Sequence, residues 1–283
     1  MSSVIDNIID QVKTLPPAPR ILPDLLKVLR RDDSDASDVV RLIQFDPALT
    51  AQVLRRCNSA YYGFAEPVGD LQVATLRIGL EAIYRTVAQV VGERTLGAPQ
   101  SGYGIQQGEL SKHSAVTALA AQLIATELGL DQSGAFTAAL LHDLGKLVLS
   151  TSLDEVYDQV IARTEQSNET FIEAEKMLIG VDHAEVGGRL LERWSFPADL
   201  IGAVRFHHDP AQAGTARQLA ACVHLGDVLA HTLGHGYGFQ SHAMRCQPEA
   251  LAILEITSTD LEQLLIKTAA STEEMLAAES STP

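Results

Sequence analysis

Along nearly the whole chain, apolar residues recur every three or four positions, the spacing of a helix with one buried face. The two-residue alternation of a half-buried strand gives no convincing signal anywhere. Ile5, Ile8, Ile9 and Val12 open the pattern, and Leu15-Pro16-Pro17-Ala18-Pro19 breaks it. Leu22, Leu25, Leu26 and Leu29 line the next helix, and a third is expected over 37–45. Asp46-Pro47 reads as an N-cap with proline at the first helical position, opening a helix over 48–58. Gly63 and Pro67 punctuate a loop, Leu71 to Ile78 leads to Gly79, and a longer helix follows over 80–96.

The turn formers Gly97-Ala98-Pro99-Gln100-Ser101-Gly102-Tyr103-Gly104 mark the clearest internal boundary. Beyond them the spacing predicts helices over 107–129, 133–150, 153–165, 169–179, 183–194, 197–206, 214–233, 248–255 and 258–269. The expectation is an all-α chain of two lobes, 1–98 and 104–270, with a mobile tail over 271–283. Pro47 and Pro197 should each stand at the start of a helix.

Composition narrows the function classes. The 283 residues suffice for a substantial core, and 46% hydrophobic with 20% charged is an ordinary globular balance. A formal net charge of −15 argues against direct nucleic-acid binding and against docking on an anionic membrane. Cys57, Cys222 and Cys246 form no paired motif, which fits a reducing compartment. With acidic residues in the first segment and no apolar run long enough to span a bilayer, a cytoplasmic protein is expected.

The candidate chemistry is a set of seven metal-ligand side chains: His113, His142, Asp143, His183, His207, His208 and Asp227. Imidazole with carboxylate suits a divalent transition metal. Each has an ordinary structural alternative. His113 shares a helix face with Glu109 and could simply bond a carbonyl. His142 and Asp143 fall in the apolar run Ala138 to Leu147, where a buried pair needs a metal, a proton or a partner charge. Lys146 could hold a phosphate there, or lie exposed on its helix. Asp182 could cap the helix that His183 opens, and His207-His208 could interact with a helix dipole. His224, Asp227 and His231 share a face, and any of them could be a ligand; Asp227 is the choice. The weight lies in the set, because several independent helices each bring one such group from an apolar setting.

The landmarks Leu15-Pro16-Pro17-Ala18-Pro19, Ile43-Gln44-Phe45-Asp46-Pro47-Ala48-Leu49-Thr50, Asn58-Ser59-Ala60-Tyr61-Tyr62-Gly63 and Ala74-Thr75-Leu76-Arg77-Ile78-Gly79 resemble the first half of an HDOD (HD-related output) domain. His113-Ser114, Leu141-His142-Asp143-Leu144-Gly145-Lys146 and Phe206-His207-His208 continue the likeness to about residue 210. The resemblance implies a helical fold of the HD phosphohydrolase superfamily, many of whose members have lost metal ligands and act in signalling. By similarity to the HD-GYP phosphodiesterases of cyclic di-GMP, the ligand order would be Glu109, His113, His142, Asp143, His183, His207, His208 and Asp227. One or two ions of Fe, Mn, Ni or Zn would be bound, with Lys146 near phosphate. The chain departs from those enzymes after His208, where Asp209-Pro210-Ala211-Gln212-Ala213-Gly214 replaces a Glu and a Gly-Tyr-Pro loop. Gly236-Tyr237-Gly238 stands elsewhere and is given no role.

Two readings follow: a signalling module binding signalling proteins or a nucleotide ligand, and a metal-dependent phosphohydrolase of nucleotides or cyclic dinucleotides. A homodimer is compatible with the first. Asn58, Tyr61, Tyr62 and Phe64 beside Gly63 are the candidate contact residues of the first lobe, with packing between lobes as their alternative.

Overall fold

The computed structural model describes residues 4–11, 19–59, 62–152, 159, 162–163, 170–237 and 245–280. Over its first third the helical spacing becomes α1 (Val4–Gln11), α2 (Ile21–Leu29), α3 (Ala36–Ile43), α4 (Pro47–Cys57), α5 (Leu71–Ile78) and α6 (Leu80–Leu96). Aspartates start three of them. Asp35 forms a capping box with Asp38, Asp46 accepts the Leu49 amide, and Asp70 accepts the Val73 amide. Between α5 and α6, Gly79 turns the chain at φ 87°, a conformation costly for any residue with a Cβ.

The second part holds α7 (Glu109–Glu127), α8 (Gln132–Leu141), α9 (Gly145–Ser152), α10 (Phe171–Ile179), α11 (His183–Arg193), α12 (Ala198–Arg205), α13 (Arg217–Thr232), α14 (Pro248–Leu254) and α15 (Ser258–Ser280). Among the described residues there is no strand, only an isolated bridge between Gln100 and Ile105. No described helix is long and apolar enough to cross a membrane. Pro47 is the first helical residue of α4, while Pro197 stands one place earlier, at the N-cap of α12.

One buried apolar core runs through both lobes. The Tyr84 hydroxyl of α6 bonds the Thr137 hydroxyl of α8, and Arg30 of α2 reaches Asp131 at 2.6 Å and Asp199 at 2.7 Å. The first helix departs from the lobe division drawn by sequence. Asp6 lies 2.9 Å from both Arg189 and Arg193, so α1 sits on α11 of the second lobe with Ile9 buried. The cause is complementarity: an acidic helix with an apolar face meets two arginines beside an apolar groove.

Two further boundaries moved. The helix expected over 133–150 is split into α8 and α9 by a turn at His142, Asp143 and Leu144, with Leu144 and Lys146 amides bonding the carbonyls three residues back. α15 runs to Ser280 rather than ending near 269, because Thr268 and Thr272 are buried against its neighbours. The helix expected over 153–165 falls almost wholly outside the described residues, as do Leu15 to Ala18, Ala60, Tyr61 and Gly238. Of the first-lobe contact candidates, Asn58 clips its own loop by bonding the Val68 amide and carbonyl. Tyr62 stacks beside Phe64 and bonds the Thr86 hydroxyl.

Candidate metal centre

Two glycine contacts decide where the site forms. A Cβ on Gly145 would stand 1.9 Å from the His183 carbonyl oxygen and 2.8 Å from the Gly187 nitrogen. Only glycine therefore lets the start of α9 rest on the start of α11, which sets His183 beside Asp143. At Gly226 a Cβ would stand 2.7 Å from the Thr117 carbonyl. That contact presses α13 against α7 and sets Asp227 beside His113.

The imidazoles are fixed from behind. The Nδ1–H of His113 donates to the His235 carbonyl at 3.0 Å, that of His142 to Ala139 at 2.6 Å, and that of His207 to Val204 at 2.7 Å. His183 donates its Nδ1–H to Glu175 at 2.7 Å. Each bond selects the tautomer whose Nε2 lone pair turns inward. These lone pairs gather round two carboxylates. His113 Nε2 lies 3.1 Å from Asp227, His142 Nε2 lies 3.3 Å from Asp143 Oδ2, and His183 Nε2 lies 3.3 Å from Asp143 Oδ1. His183 and His208 face each other Nε2 to Nε2 at 2.9 Å.

Three overlapping triads result: His113 with His142 and Asp227, His142 with Asp143 and His207, and His183 with His207 and His208. Within each, the donor atoms lie within 4.8 Å of one another. Two atoms bound to one ion at about 2.2 Å can be at most about 4.4 Å apart, so small closures suffice. The Nε2 atoms of His142 and His207 and the Oδ1 of Asp227 are buried without a hydrogen-bond partner. An orphaned buried polar atom costs about 1–3 kcal/mol, and three in one spot fit a cation between them. The donor set therefore fits a transition metal.

All seven expected ligands meet here, each almost wholly buried except the half-exposed His208. Glu109 does not join them. It is exposed, and its carboxylate accepts the Gln106 amide at the start of its own helix, facing a different cleft. Lys146 is buried, not an exposed helix lysine. Its ammonium lies 2.6 Å from Asp143 Oδ1 and 2.6 Å from the Tyr237 hydroxyl, which itself donates to Asp143 Oδ2. Tyr237, given no role from sequence, thus closes one side of the centre. Glu175 was missed as well. Buried beneath His183, it accepts that residue's amide at 2.9 Å and the Tyr103 hydroxyl at 2.7 Å. Its only sequence signal is a glutamate one helix upstream, too common to single out. His224 uses both nitrogens, donating to the His207 carbonyl and accepting the Gln247 amide, so it braces the His207 segment. His231 lies 3.4 Å from Asp227.

Electrostatics follow from this crowding. Burial opposes charge on Asp143, yet His142 and Lys146 outweigh it and hold the carboxyl well below its ordinary range. Asp227 is also held well below, burial being outweighed by the adjoining His113 and then by His231. His207 is pushed down to about 3 by burial and by His142 and His183, and His231 to about 4, chiefly by burial. His142 is raised instead, since Asp143 and Asp227 overcome its burial. The centre thus presents carboxylates as anions and His207 as a neutral base, the states a metal requires.

An uncharacterised protein of Treponema pallidum is 27% identical over 206 residues, 72% of this chain and 39% of that one. Ribonuclease Y of Thermus thermophilus is 30% identical over 169 residues, 60% of this chain and 23% of the relative. The chain thus spans well under half the length of these relatives. Among solved structures, an HDOD domain protein of unknown function from Geobacter sulfurreducens superposes with a TM-score of 0.74 at 23% identity, over 97% of this chain and 95% of that one. The HDOD domain model matches residues 15–210, well over half of the sequence, and with the helical fold in place this chain belongs to the HDOD domain family.

Proposed function

We propose that this chain is a signalling module in which the HDOD fold carries a buried centre for one or two divalent transition metals, sensing or transmitting a state through protein or nucleotide contacts. The observation that carries the metal reading is the inward set of Nε2 lone pairs around Asp143 and Asp227, three of its acceptor atoms having no other partner. His113, His142 and Asp227 would hold one ion, His183, His207 and His208 another, with Asp143 between them. Such ions supply Lewis acidity toward phosphoryl oxygen and acidify water. The chain's own part is orientation: backbone carbonyls and Glu175 fix the rings, and the Glu175 carboxylate makes His183 a stronger donor.

Access favours signalling over turnover. Lys146 and Tyr237 both engage Asp143, so a phosphate at Lys146 would have to displace that pairing. The loop that would grip a cyclic dinucleotide is replaced by Asp209 to Gly214. A cytoplasmic setting suits the three free cysteines. The second reading, a metal-dependent phosphohydrolase of nucleotides or cyclic dinucleotides, is favoured by the intact donor set and by the likeness to ribonuclease Y. A net charge of −15 disfavours RNA itself as substrate.

Elemental analysis of the purified chain, beside a hydrolysis screen of nucleotides and cyclic dinucleotides, tests both. Stoichiometric metal, lost in Asp143→Asn and stripped by chelator with a fall in Tm, is expected with no turnover. Phosphate release that requires Asp143 would give the second reading priority. Metal-free protein indifferent to chelator and to added metal would end both.

A further inference from the structure

A second cavity, of about 680 Å³, lies between the lobes. Its walls come from α4 and the loop after it, α6, most of α7, and Ser271 to Met275 of α15. None of the clustered metal-centre residues lines it. Its size falls within the roughly 300–1,000 Å³ of small-molecule sites.

The charge in this cleft is unlike that of the surrounding surface. The chain has 36 acidic side chains to 21 lysines and arginines, and elsewhere its cations commonly sit on carboxylates, as Arg41, Arg94, Arg189 and Lys267 do. In the cleft, Arg56 is paired with Glu93. Arg55, Arg85 and Lys112 have no carboxylate partner among the described residues, Arg85 reaching only the Gln122 amide oxygen at 3.3 Å. The amino end of α7 opens into the same space. Its N-cap is Gly108, which has no side chain to cap the first-turn amides. A nineteen-residue helix aimed by its positive end adds to the attraction for an anion. Tyr62, stacked beside Phe64, also lines the cleft, and Glu109 and Glu274 are carboxylates able to accept from N–H or O–H groups.

We propose that the interlobe cleft binds a phosphorylated small molecule of nucleotide size, its phosphate on Arg55, Arg85 and Lys112 and its ring against Tyr62. Guanidinium and ammonium donors at the amino end of a helix match phosphate oxygens, and the remaining carboxylates match the donors of a base or sugar. Lys112 in the cleft and His113 in the metal centre are consecutive on α7. A ligand here therefore touches both lobes, the C-terminal helix and the helix that carries one metal ligand. The site does not require the centre to be loaded.

The test is calorimetric titration of the full chain with inorganic pyrophosphate, GTP and cyclic di-GMP at fixed ionic strength. It compares wild type with and without chelator, the Arg55→Gln/Arg85→Gln/Lys112→Gln triple variant, and Lys112→Gln alone. Saturable binding of at least one probe is expected. It should weaken about tenfold or more in the triple variant, as charge-assisted bonds to phosphate are lost, and measurably in Lys112→Gln, which decides the matter if the triple variant misfolds. Wild type treated with chelator should bind as untreated protein does. Metal content measured on the same samples keeps this outcome separate from the fate of the metal reading. Absence of binding by all three probes would overturn the proposal. So would binding that survives the cleft substitutions and vanishes with chelator, which would put the phosphate at the candidate metal centre.

Discussion

The candidate metal centre and the interlobe cleft lie on either side of Lys112 and His113 and hold their ionisable groups under opposite conditions. At the centre, His113, His142, Asp143, Lys146 and Asp227 are each at most 3% exposed, and the His113 and His142 rings are tied from behind. In the cleft, Arg55 and Lys112 are exposed and Arg85 is half-buried, with three cations lacking a carboxylate. Solvent and salt screen the cleft over about 8–10 Å, so its charges act on what arrives. The buried charges act on one another and cannot relax, so they bear on the fold itself. Similar residue types thus serve affinity in one region and structure in the other.

The largest effect should come from Asp143→Asn. It removes the carboxylate charge 2.6 Å from the buried Lys146 ammonium, so urea unfolding of the metal-free protein should show a loss of about 3–5 kcal/mol. Lys112→Gln, on the exposed side of the same boundary, should stay within about 0.5 kcal/mol. Equal losses from both would erase the contrast.

Acid should separate the two regions next. For His207, near 3, and His231, near 4, the folded pKa lies below the ordinary value of about 6.5. The unfolded chain then takes up protons that the folded chain refuses, and stability falls as pH drops below about 6.5. His208, also held low, adds to the loss. His142 has the opposite sign: its raised pKa stabilises below its unfolded value, and that gain is lost as pH rises through the folded one. His224 and His235 are held low by burial as well, so with five histidines against one the urea midpoint of metal-free protein should be lower at about pH 5 than at about pH 7.5. A midpoint that rises in acid would mean that His142 dominates.

Gly145→Ala should follow, because its methyl would fall 1.9 Å from the His183 carbonyl and must part α9 from α11. A loss of about 1–3 kcal/mol is expected, with metal content falling alongside. Gly69→Ala, with nothing within 4 Å, is the matched control. Glu175→Gln should be the gentlest at the centre, lowering metal affinity about 10–100-fold by competition titration while the fold persists. Unchanged affinity would reduce Glu175 to a packing role.

Local chemistry was legible in the sequence wherever neighbours along the chain decide the outcome. Asp46 before Pro47 started α4 through its own bond to Leu49, and helical spacing gave an all-α chain. The seven candidate ligands, which the fold brings into one cluster, were legible too, because ionisable groups in apolar helices have few reasons to be there. Contacts across the fold were not. The apolar run over 138–147 reads as one helix, and only the docking of Gly145 on α11 accompanies the turn at His142 and Asp143. Glu109 shares a helix with His113, yet the amino end of α7 faces the cleft, so its carboxylate stays outside the centre. Tyr237 and Glu175 lie 94 and 8 residues from the side chains they hold, Asp143 and His183. A tyrosine in a glycine-rich turn or a glutamate on an amphipathic helix has no local pattern that marks such a partner. The sequence by itself determined the periodicity, the caps and the inventory of donors, since these depend on residues a few positions apart. Only the tertiary structure decided which donors meet, which lysine is buried and which cations stand without a carboxylate, because burial and charge pairing are set by segments that approach through space.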